Sequence, residues 1–348
     1  MIINLIFLLL LSFNNILSHN HNCIICNNCN IPKRENFQAE IDGKKVDLYF
    51  LINSNCYEIA ISNYGGIIVS ILAPNLKEQV DNIIQGYPTL KEYIENQKKG
   101  KKVNSILGRY ANEIKDGEFI IDNKKYKLSD FNNYSNFGEK VWTAVQINNN
   151  ELRLYYTSPD GENGFPGDLH IEVVYTLNDN NEFKISFSGT TNKKTVVNLS
   201  QRLIFNLEGN QYNEINNQIL VLNSKLYLPV DENKIPLGDI KSIENTSNDF
   251  RQGQKLGDKN IENYFVLNKK NIKNLGVAGS LEDEKTKRHV IIYTTEPGVN
   301  VISDKFGTSI EPMHFPNSPN MGFFPSTILK PGQIYRHETV YTFDLRMK

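Results

Sequence analysis

The sequence predicts an all-β protein, a large antiparallel β-sandwich. Short runs in which apolar and polar residues alternate recur along most of the chain, and each run is bounded by Asn, Asp, Gly or Pro. Helical periodicity is confined to one short piece, residues 89–96. Strands without crossover helices between them pair antiparallel, and no fixed-length repeat or low-complexity insert divides them. Residues 38–348 are therefore expected to form one β-sandwich domain.

The N-terminal segment carries an addressing signal. An apolar run, Ile2–Leu11, is followed by a polar stretch that ends near Ser18, and no second long apolar segment follows. The run is shorter than a membrane span requires. We expect residues 1–18 to be a signal peptide and the mature protein to be secreted. The alternative is an uncleaved hydrophobic anchor, because no Lys or Arg precedes the run.

Residues 19–37 form an arm that contains most of the cysteines. The chain has four, at Cys23, Cys26, Cys29 and Cys56. The close spacing of the first three, with two histidines beside them, leaves metal binding open. In an oxidising compartment an even number of cysteines more often forms disulfides, so we expect disulfides, one of them tying the arm to the first hairpin through Cys56.

Charge and composition exclude several function classes. Lys plus Arg (38) nearly balances Asp plus Glu (39), so no net field attracts nucleic acid or an anionic membrane. The sequence contains no phosphate loop, nucleotide fingerprint or complete metal-site spacing, so we expect no cofactor. Three sequons permit N-glycosylation, at Asn133, Asn198 and Asn245.

The predicted strands follow one another between turn residues. Gly65 and Gly66 inside a strand predict a bulge or a close backbone approach. The Pro- and Gly-rich stretch 159–167 predicts a rigid turn. Pro325 and the Pro331-Gly332 turn are expected to position a final edge strand. The alternating runs lie at residues 44–52, 57–66, 117–128, 152–158, 169–177, 182–191, 289–298 and 335–345.

Six segments resemble the aldose 1-epimerase (galactose mutarotase) family, in its order and at about its spacing. Together they extend over nearly the whole mature chain, so the family identification does not depend on one motif. The resemblance implies a galactose mutarotase-like supersandwich fold, interconversion of the α- and β-anomers of hexoses, and no cofactor. The segments are NYGGIIVSILAPN (63–75), GRYANEIKDGEF (108–119), SPDGENGFPGDL (158–169), TVVNLSQRLIFNLEG (195–209), YLPVDENKIPLGDI (227–240) and EPMHFPNSPNMGFFPSTILKPGQIY (311–335).

The resemblance assigns the two proton-transfer positions. Mutarotation needs a carboxylate base at the anomeric hydroxyl and an acid at the ring oxygen, and each positioned transfer contributes about 10²–10⁴-fold in rate. The family's base corresponds to Glu311. The family's acid, a histidine, corresponds to Arg202, and arginine does not release its proton near neutral pH. The resemblance therefore implies an epimerase-like protein that is catalytically impaired.

Other pocket positions implied by the resemblance have also changed. The family's second histidine is absent from the stretch that ends at Trp142. Asn112 matches the family's asparagine, but the family's arginine next to it is replaced here by Glu113. The family's Asp-His pair corresponds to Glu262 and Asn263, and a glutamine corresponds to Asn300.

These changes leave one histidine as a candidate for the pocket and predict one ion pair. His314, three residues after Glu311, is the remaining histidine near the implied pocket. The family's pocket arginine has become a carboxylate at Glu113 and its histidine a cation at Arg202. Because a buried guanidinium without a carboxylate is strongly unfavourable, Arg202 is predicted to pair with Glu113 or Glu311.

Three functions remain open at this point. The leading one is a pseudoenzyme, secreted and retained for carbohydrate binding or for interaction with a protein. The second is an active aldose 1-epimerase that uses Glu311 as base with water or His314. The third is a structural surface protein without a ligand. A hexose or glycan and a protein are thus the expected partners, and nucleic acid is not.

Overall fold

The computed structural model describes residues 32–129 and 136–346. The predicted signal peptide, the cysteines of the arm and Asn133 lie outside the described residues. The described chain consists almost entirely of antiparallel strands, which confirms the all-β sandwich prediction. Cys56 is disulfide-bonded, as expected. None of the helices in the described ranges has the length and apolar character needed to cross a membrane.

The elements are numbered in chain order. The one α-helix of the described residues is α1, Leu90–Gln97, and single 3-10 turns lie at Arg34–Phe37, Lys115–Gly117, Phe137–Glu139, Glu162–Gly164 and Ser318–Asn320. The strands are β1 Ala39–Ile41, β2 Lys44–Val46, β3 Leu48–Ile52, β4 Glu58–Ser62, β5 Ile67–Pro74, β6 Val80–Asn82, β7 Ile106–Leu107, β8 Glu118–Ile121, β9 Lys124–Lys127, β10 Thr143–Asn148, β11 Glu151–Ser158, β12 Leu169–Leu177, β13 Glu182–Thr191, β14 Thr195–Val196, β15 Ser200–Gln201, β16 Ile204–Phe205, β17 Gln218–Leu222, β18 Ser224–Leu228, β19 Lys241–Ser242, β20 Gln254–Lys255, β21 Ile261–Leu267, β22 Gly276–Asp283, β23 Arg288–Thr294, β24 Gly298–Asp304, β25 Gly307–Met313, β26 Ile328–Leu329 and β27 Tyr335–Leu345.

Two large sheets enclose the main core. One has nine strands in the order β10-β11-β12-β13-β27-β23-β22-β17-β20, and the other has six in the order β16-β25-β24-β21-β18-β19. Buried side chains of both sheets belong to one hydrophobic cluster, for example Ile185 and Ile292 from the first and Val301 and Ile310 from the second. The two sheets therefore pack face to face, and the opposite face of the six-stranded sheet is left to carry a site.

The last strand differs from the expectation. We predicted an edge strand after Pro325 and the Pro331-Gly332 turn, but β27 lies in the centre of the nine-stranded sheet, hydrogen-bonded to β13 and β23 along its length. The prediction was wrong because both prolines precede the strand. Residues 335–345 contain no proline, so every backbone N–H remains available for a ladder on each side.

The predicted helix is confirmed, and the glycine pair makes the predicted close approach, although it lies in a turn between two strands and not inside one. Thr89 caps α1, since its hydroxyl oxygen accepts a hydrogen bond from the Glu92 N–H at 3.3 Å. Gly65 and Gly66, between β4 and β5, have φ values of 66° and 56°. A Cβ atom at Gly65 would collide with the Gly138 carbonyl, so the close backbone approach requires glycine there.

Candidate active site

The register of the six-stranded sheet builds a row of side chains. Glu311 on β25 lies opposite Asn300 on β24, and Asn300 lies opposite Tyr264 on β21. Directly opposed residues of antiparallel strands project from the same face. Ile310, the neighbour of Glu311 in sequence, belongs to the core between the sheets. The row therefore lies on the face that points away from that core.

Arg202 reaches Glu311 from outside the sheet. It follows β15 directly, and its backbone N–H donates to the Ser105 carbonyl at 3.1 Å. Its guanidinium contacts both carboxylate oxygens of Glu311: Nε donates to Oε1 in a very short contact, and Nη2 donates to Oε2 at 3.2 Å. The prediction that Arg202 pairs with a carboxylate is confirmed, and the partner is Glu311.

The pair is withdrawn from solvent. The Glu311 side chain is 0% exposed and that of Arg202 is 22% exposed. Burial alone would lower the pKa of Arg202, but the charge of Glu311 and the hydrogen bonds to it outweigh burial and hold that pKa above its ordinary value. Ser309 Oγ also donates to Glu311 Oε1, at 3.0 Å. The carboxylate of the implied base is thus fully engaged by protein donors, and the guanidinium stays charged at any physiological pH.

Tyr264 occupies the middle of the same face. It is 6% exposed and packs in a cluster with Met313, Phe315 and Phe324. Burial, followed by the charges of nearby carboxylates that include Glu311, raises the pKa of its phenol. A neutral phenol therefore lies in the same row as Glu311, with Asn300 between them.

Asn300 and Asn112 make different use of their amides. Asn300 is 5% exposed, and its Oδ1 is buried with no hydrogen-bond partner among the described residues. Asn112 Nδ2 donates to the His314 carbonyl at 2.6 Å, and its Oδ1 accepts from Asn198 at 3.2 Å. Asn112 thus fixes the backbone that follows β25, whereas Asn300 presents an acceptor in the row.

Glu113 and Glu262 lie around Tyr264. Both raise the pKa of its phenol by their charge. The Glu113 carbonyl accepts from the Asn317 N–H at 2.7 Å, which ties this segment to the chain after β25. Glu262 is 47% exposed and forms a salt bridge with Lys234. Both carboxylates therefore lie close enough to Tyr264 to act on it electrostatically.

His314 is not brought to Glu311. Its Nδ1 lies 2.5 Å from Glu296 Oε2, and Glu296 is also 3.9 Å from His337 on the nine-stranded sheet. The backbone N–H of His314 donates to Asn198 Oδ1 at 3.0 Å. The structure thus places the His314 imidazole against the buried Glu296 carboxylate rather than in the row with Glu311. In residues 32–129 and 136–346, no three His, Cys, Asp or Glu side chains are grouped so as to hold a metal ion.

Comparison with known proteins assigns the chain to a family. The family model described as aldose 1-epimerase matches residues 47–342. The chain belongs to the aldose 1-epimerase family.

Relatives of this aldose 1-epimerase family member cover most of it. The chain is 28% identical to the galactose mutarotase of Sus scrofa, with 85% of this chain and 94% of the relative covered. It is 27% identical to the aldose 1-epimerase of Escherichia coli strain K12, with 87% and 96% covered. A solved aldose epimerase homologue from C. elegans superimposes with a TM-score of 0.80 at 22% identity, with 87% of this chain and 100% of that one covered. The likeness to that structure shows the fold.

Two side chains at the site of this aldose 1-epimerase family member were not predicted from the sequence. Tyr264 lies two residues after Glu262 on one strand, and Ser309 lies two residues before Glu311. A period of two places each beside its neighbour on the same face. That spacing was therefore a usable signal for both residues. Glu296 had no such signal, because its histidine partners are distant in sequence.

Proposed function

We propose that this member of the aldose 1-epimerase family is a secreted protein, catalytically impaired as an epimerase, that is retained for carbohydrate binding or for interaction with another protein. One observation carries the proposal. The carboxylate at the base position is held by the guanidinium at the acid position. The two groups that should act on a sugar act on each other.

The pair opposes both halves of the reaction. A base must have a lone pair directed at the anomeric hydroxyl, but both Glu311 oxygens accept from Arg202, and Oε1 also accepts from Ser309. Freeing Glu311 would leave a buried charge uncompensated, which typically costs about 3–5 kcal/mol. The raised pKa of Arg202 also prevents it from donating a proton to a ring oxygen. Each of these facts separately supports impaired catalysis.

The space beside the pair supports the same conclusion. Tyr264, Asn300 and Glu311 are 6%, 5% and 0% exposed. A pyranose could reach Glu311 only if the buried side chains around it moved. A ligand is therefore expected to bind at the outer part of the site, where Glu262 and the exposed part of Arg202 remain accessible.

A second candidate function is an active aldose 1-epimerase. The presence of a glutamate at the family's base position favours this alternative, because strand structure alone does not require a carboxylate at that position. This alternative requires Arg202 to leave Glu311 when the sugar enters. The third candidate, a structural surface protein, requires that no carbohydrate binds.

Mutarotation of pure α-glucose and α-galactose, followed by polarimetry, tests the proposal. We expect the wild-type rate to equal the buffer rate. A rate above buffer that disappears in Glu311→Gln would overturn the proposal. Arg202→His combined with Tyr264→Asn should raise the rate if the family's chemistry is otherwise intact, and Arg153→His, at an exposed arginine, serves as control. Calorimetric titration with hexoses and oligosaccharides then separates carbohydrate binding from the surface-protein alternative.

A further inference from the structure

Two of the three sequons lie in the described residues, and the fold treats them differently. We propose that the folded protein carries an N-linked glycan on Asn245 and none on Asn198. The inference rests on the secretory route in the proposed function, since the modifying enzymes act there. It goes beyond that function by assigning a modification site and a role for it.

Asn198 has no room for a glycan. It is 0% exposed. Its Nδ2 donates to Asn112 Oδ1 at 3.2 Å and to the His314 carbonyl at 3.4 Å, and its Oδ1 accepts from the His314 N–H at 3.0 Å. A sugar is attached to the same Nδ2 atom. A chain modified there before folding would lose these bonds and could not close this part of the core, so the secreted protein lacks a glycan at Asn198.

Asn245 has the opposite environment. It lies in the exposed stretch 244–247, in a left-handed backbone conformation with φ 60°. Its side-chain amide has no hydrogen-bond partner in the part of the chain that the structure describes. Thr246 holds the turn independently of Asn245, because its hydroxyl donates to the carbonyl of the buried Ile243 at 2.6 Å. The turn therefore keeps its shape when Asn245 Nδ2 carries a substituent.

The transfer itself is chemically complete. The donor class is an oligosaccharide linked to a polyprenyl diphosphate. The bond from the sugar anomeric carbon to the diphosphate oxygen breaks, a bond from that carbon to Asn245 Nδ2 forms, the amide loses one proton, and the lipid diphosphate leaves.

The position suits a protective role. Asn245 follows β19, which is one of the two edge strands of the six-stranded sheet. Exposed apolar side chains surround this edge: Leu226, opposite Ser242 of β19, is 38% exposed, Ile240 is 43% and Leu237 is 62% exposed. An open edge beside apolar side chains is a template for pairing with another chain. A bulky, hydrophilic glycan next to it would prevent such pairing.

The experiment uses the full chain, expressed in a eukaryotic secretory host in two forms. One form keeps its own N-terminus and the other has the host's signal peptide in place of residues 1–18. Glycosidase release in ¹⁸O-water followed by peptide mass mapping identifies each modified asparagine. Ser247→Ala removes the sequon Asn245-Thr246-Ser247 without changing Asn245, and Ser247→Thr is the matched control that keeps it.

We expect the ¹⁸O tag at Asn245 in the wild type and in Ser247→Thr, its loss in Ser247→Ala, and none at Asn198. An untagged Asn245 in protein secreted from either form, or a tag at Asn198, would overturn the inference. If only the form with the host's signal peptide is secreted, the secretory part of the proposed function fails, while the Asn245 assignment is still decided by that form. Mapping of the wild type keeps the Asn198 result independent of any folding defect in a variant.

Discussion

The Arg202–Glu311 pair is a buried ion pair whose two members depend on each other. Arg202→Met should lower the free energy of unfolding by about 3–5 kcal/mol, because it leaves a carboxylate without solvent or a counter-charge. Arg202→Met combined with Glu311→Gln should recover most of that loss, since no charge is then buried. Urea unfolding followed by circular dichroism measures both.

The exposed pair of Arg153 and Glu151 supplies the control for this cycle. Arg153→Met should change the free energy of unfolding far less than Arg202→Met, as expected for a solvated ion pair. Equal losses in the single and double variants of the buried pair would contradict the prediction, because they would show that Glu311 does not depend on the Arg202 charge.

Glu58 on β4 should make stability depend on pH. Burial raises the pKa of this carboxyl from 4.5 to about 7, and its Oε1 has no hydrogen-bond partner among the described residues. The folded state therefore binds a proton that the unfolded state releases, so stability is lost as pH rises from 4.5 to 7 and stays low above it. At about 1.4 kcal/mol per pH unit, the loss is about 3 kcal/mol.

Glu58→Gln tests this expectation. The variant should remove most of that pH dependence and should be more stable than the wild type at pH 8. Denaturant unfolding at a series of pH values measures the difference, and Glu95→Gln, at an exposed helix position, is the control. A variant whose curve runs parallel to that of the wild type would refute the assignment to Glu58.

The residues of the site differ in how far sequence could predict them. The Arg202–Glu311 contact was predictable, because two pocket positions had exchanged charge and a buried guanidinium needs a carboxylate. Tyr264 was not predicted, because matching single positions to a family's chemical groups does not show which other side chains lie near those groups in the fold. The position of His314 also depended on the fold, since Glu296 approaches it from a different strand connection.

At the scale of elements, alternation located the strands but not their neighbours. The run 335–345 matches β27 at both ends, yet its central place in the sheet depends on pairing with β13 and β23, which are far away in sequence. Asp47 is a second example. The run 44–52 was one alternating stretch, but the buried Asp47 carboxylate accepts from its neighbour Leu48 and from Arg34, which separates β2 from β3.

The Glu296–His314 pair joins the end of β25 to the start of β24 and should stabilise the fold within a pH window. Burial would lower the pKa of His314, but the charge of Glu296 outweighs it and raises that pKa. Burial would raise the pKa of Glu296, but the charges of His314 and His337 lower it. The histidine contribution is therefore lost as pH rises through the raised pKa of His314. The glutamate contribution is lost as pH falls through the lowered pKa of Glu296.

His314→Gln should remove this window. The difference in unfolding free energy between wild type and variant should be largest between those two pKa values and should shrink on both sides. His170→Gln, at an exposed strand position, should show no such maximum. A constant difference across the pH series would mean that packing, and not charge, accounts for the effect of His314.

The whole molecule should unfold as one unit, because one hydrophobic cluster extends through both large sheets. Trp142 and Tyr341 belong to it. Trp142, the single tryptophan, packs against the rings of Phe137 and Tyr156, far along the sheet from the Tyr341 contacts with Phe183 and Phe205. A substitution at one end of a shared core should therefore lower the unfolding midpoint measured at the other end.

Tyr341→Ala tests this coupling. Removing a side chain that is 0% exposed should lower the unfolding free energy by about 3–5 kcal/mol. The midpoints measured by Trp142 fluorescence and by far-ultraviolet circular dichroism should fall together. Tyr341→Phe is the matched control. The Tyr341 hydroxyl is buried without a hydrogen-bond partner in the described residues, so its removal should leave stability unchanged or raise it slightly. If Tyr341→Ala shifts the circular dichroism midpoint and leaves the Trp142 midpoint in place, the two sheets do not share a cooperative core.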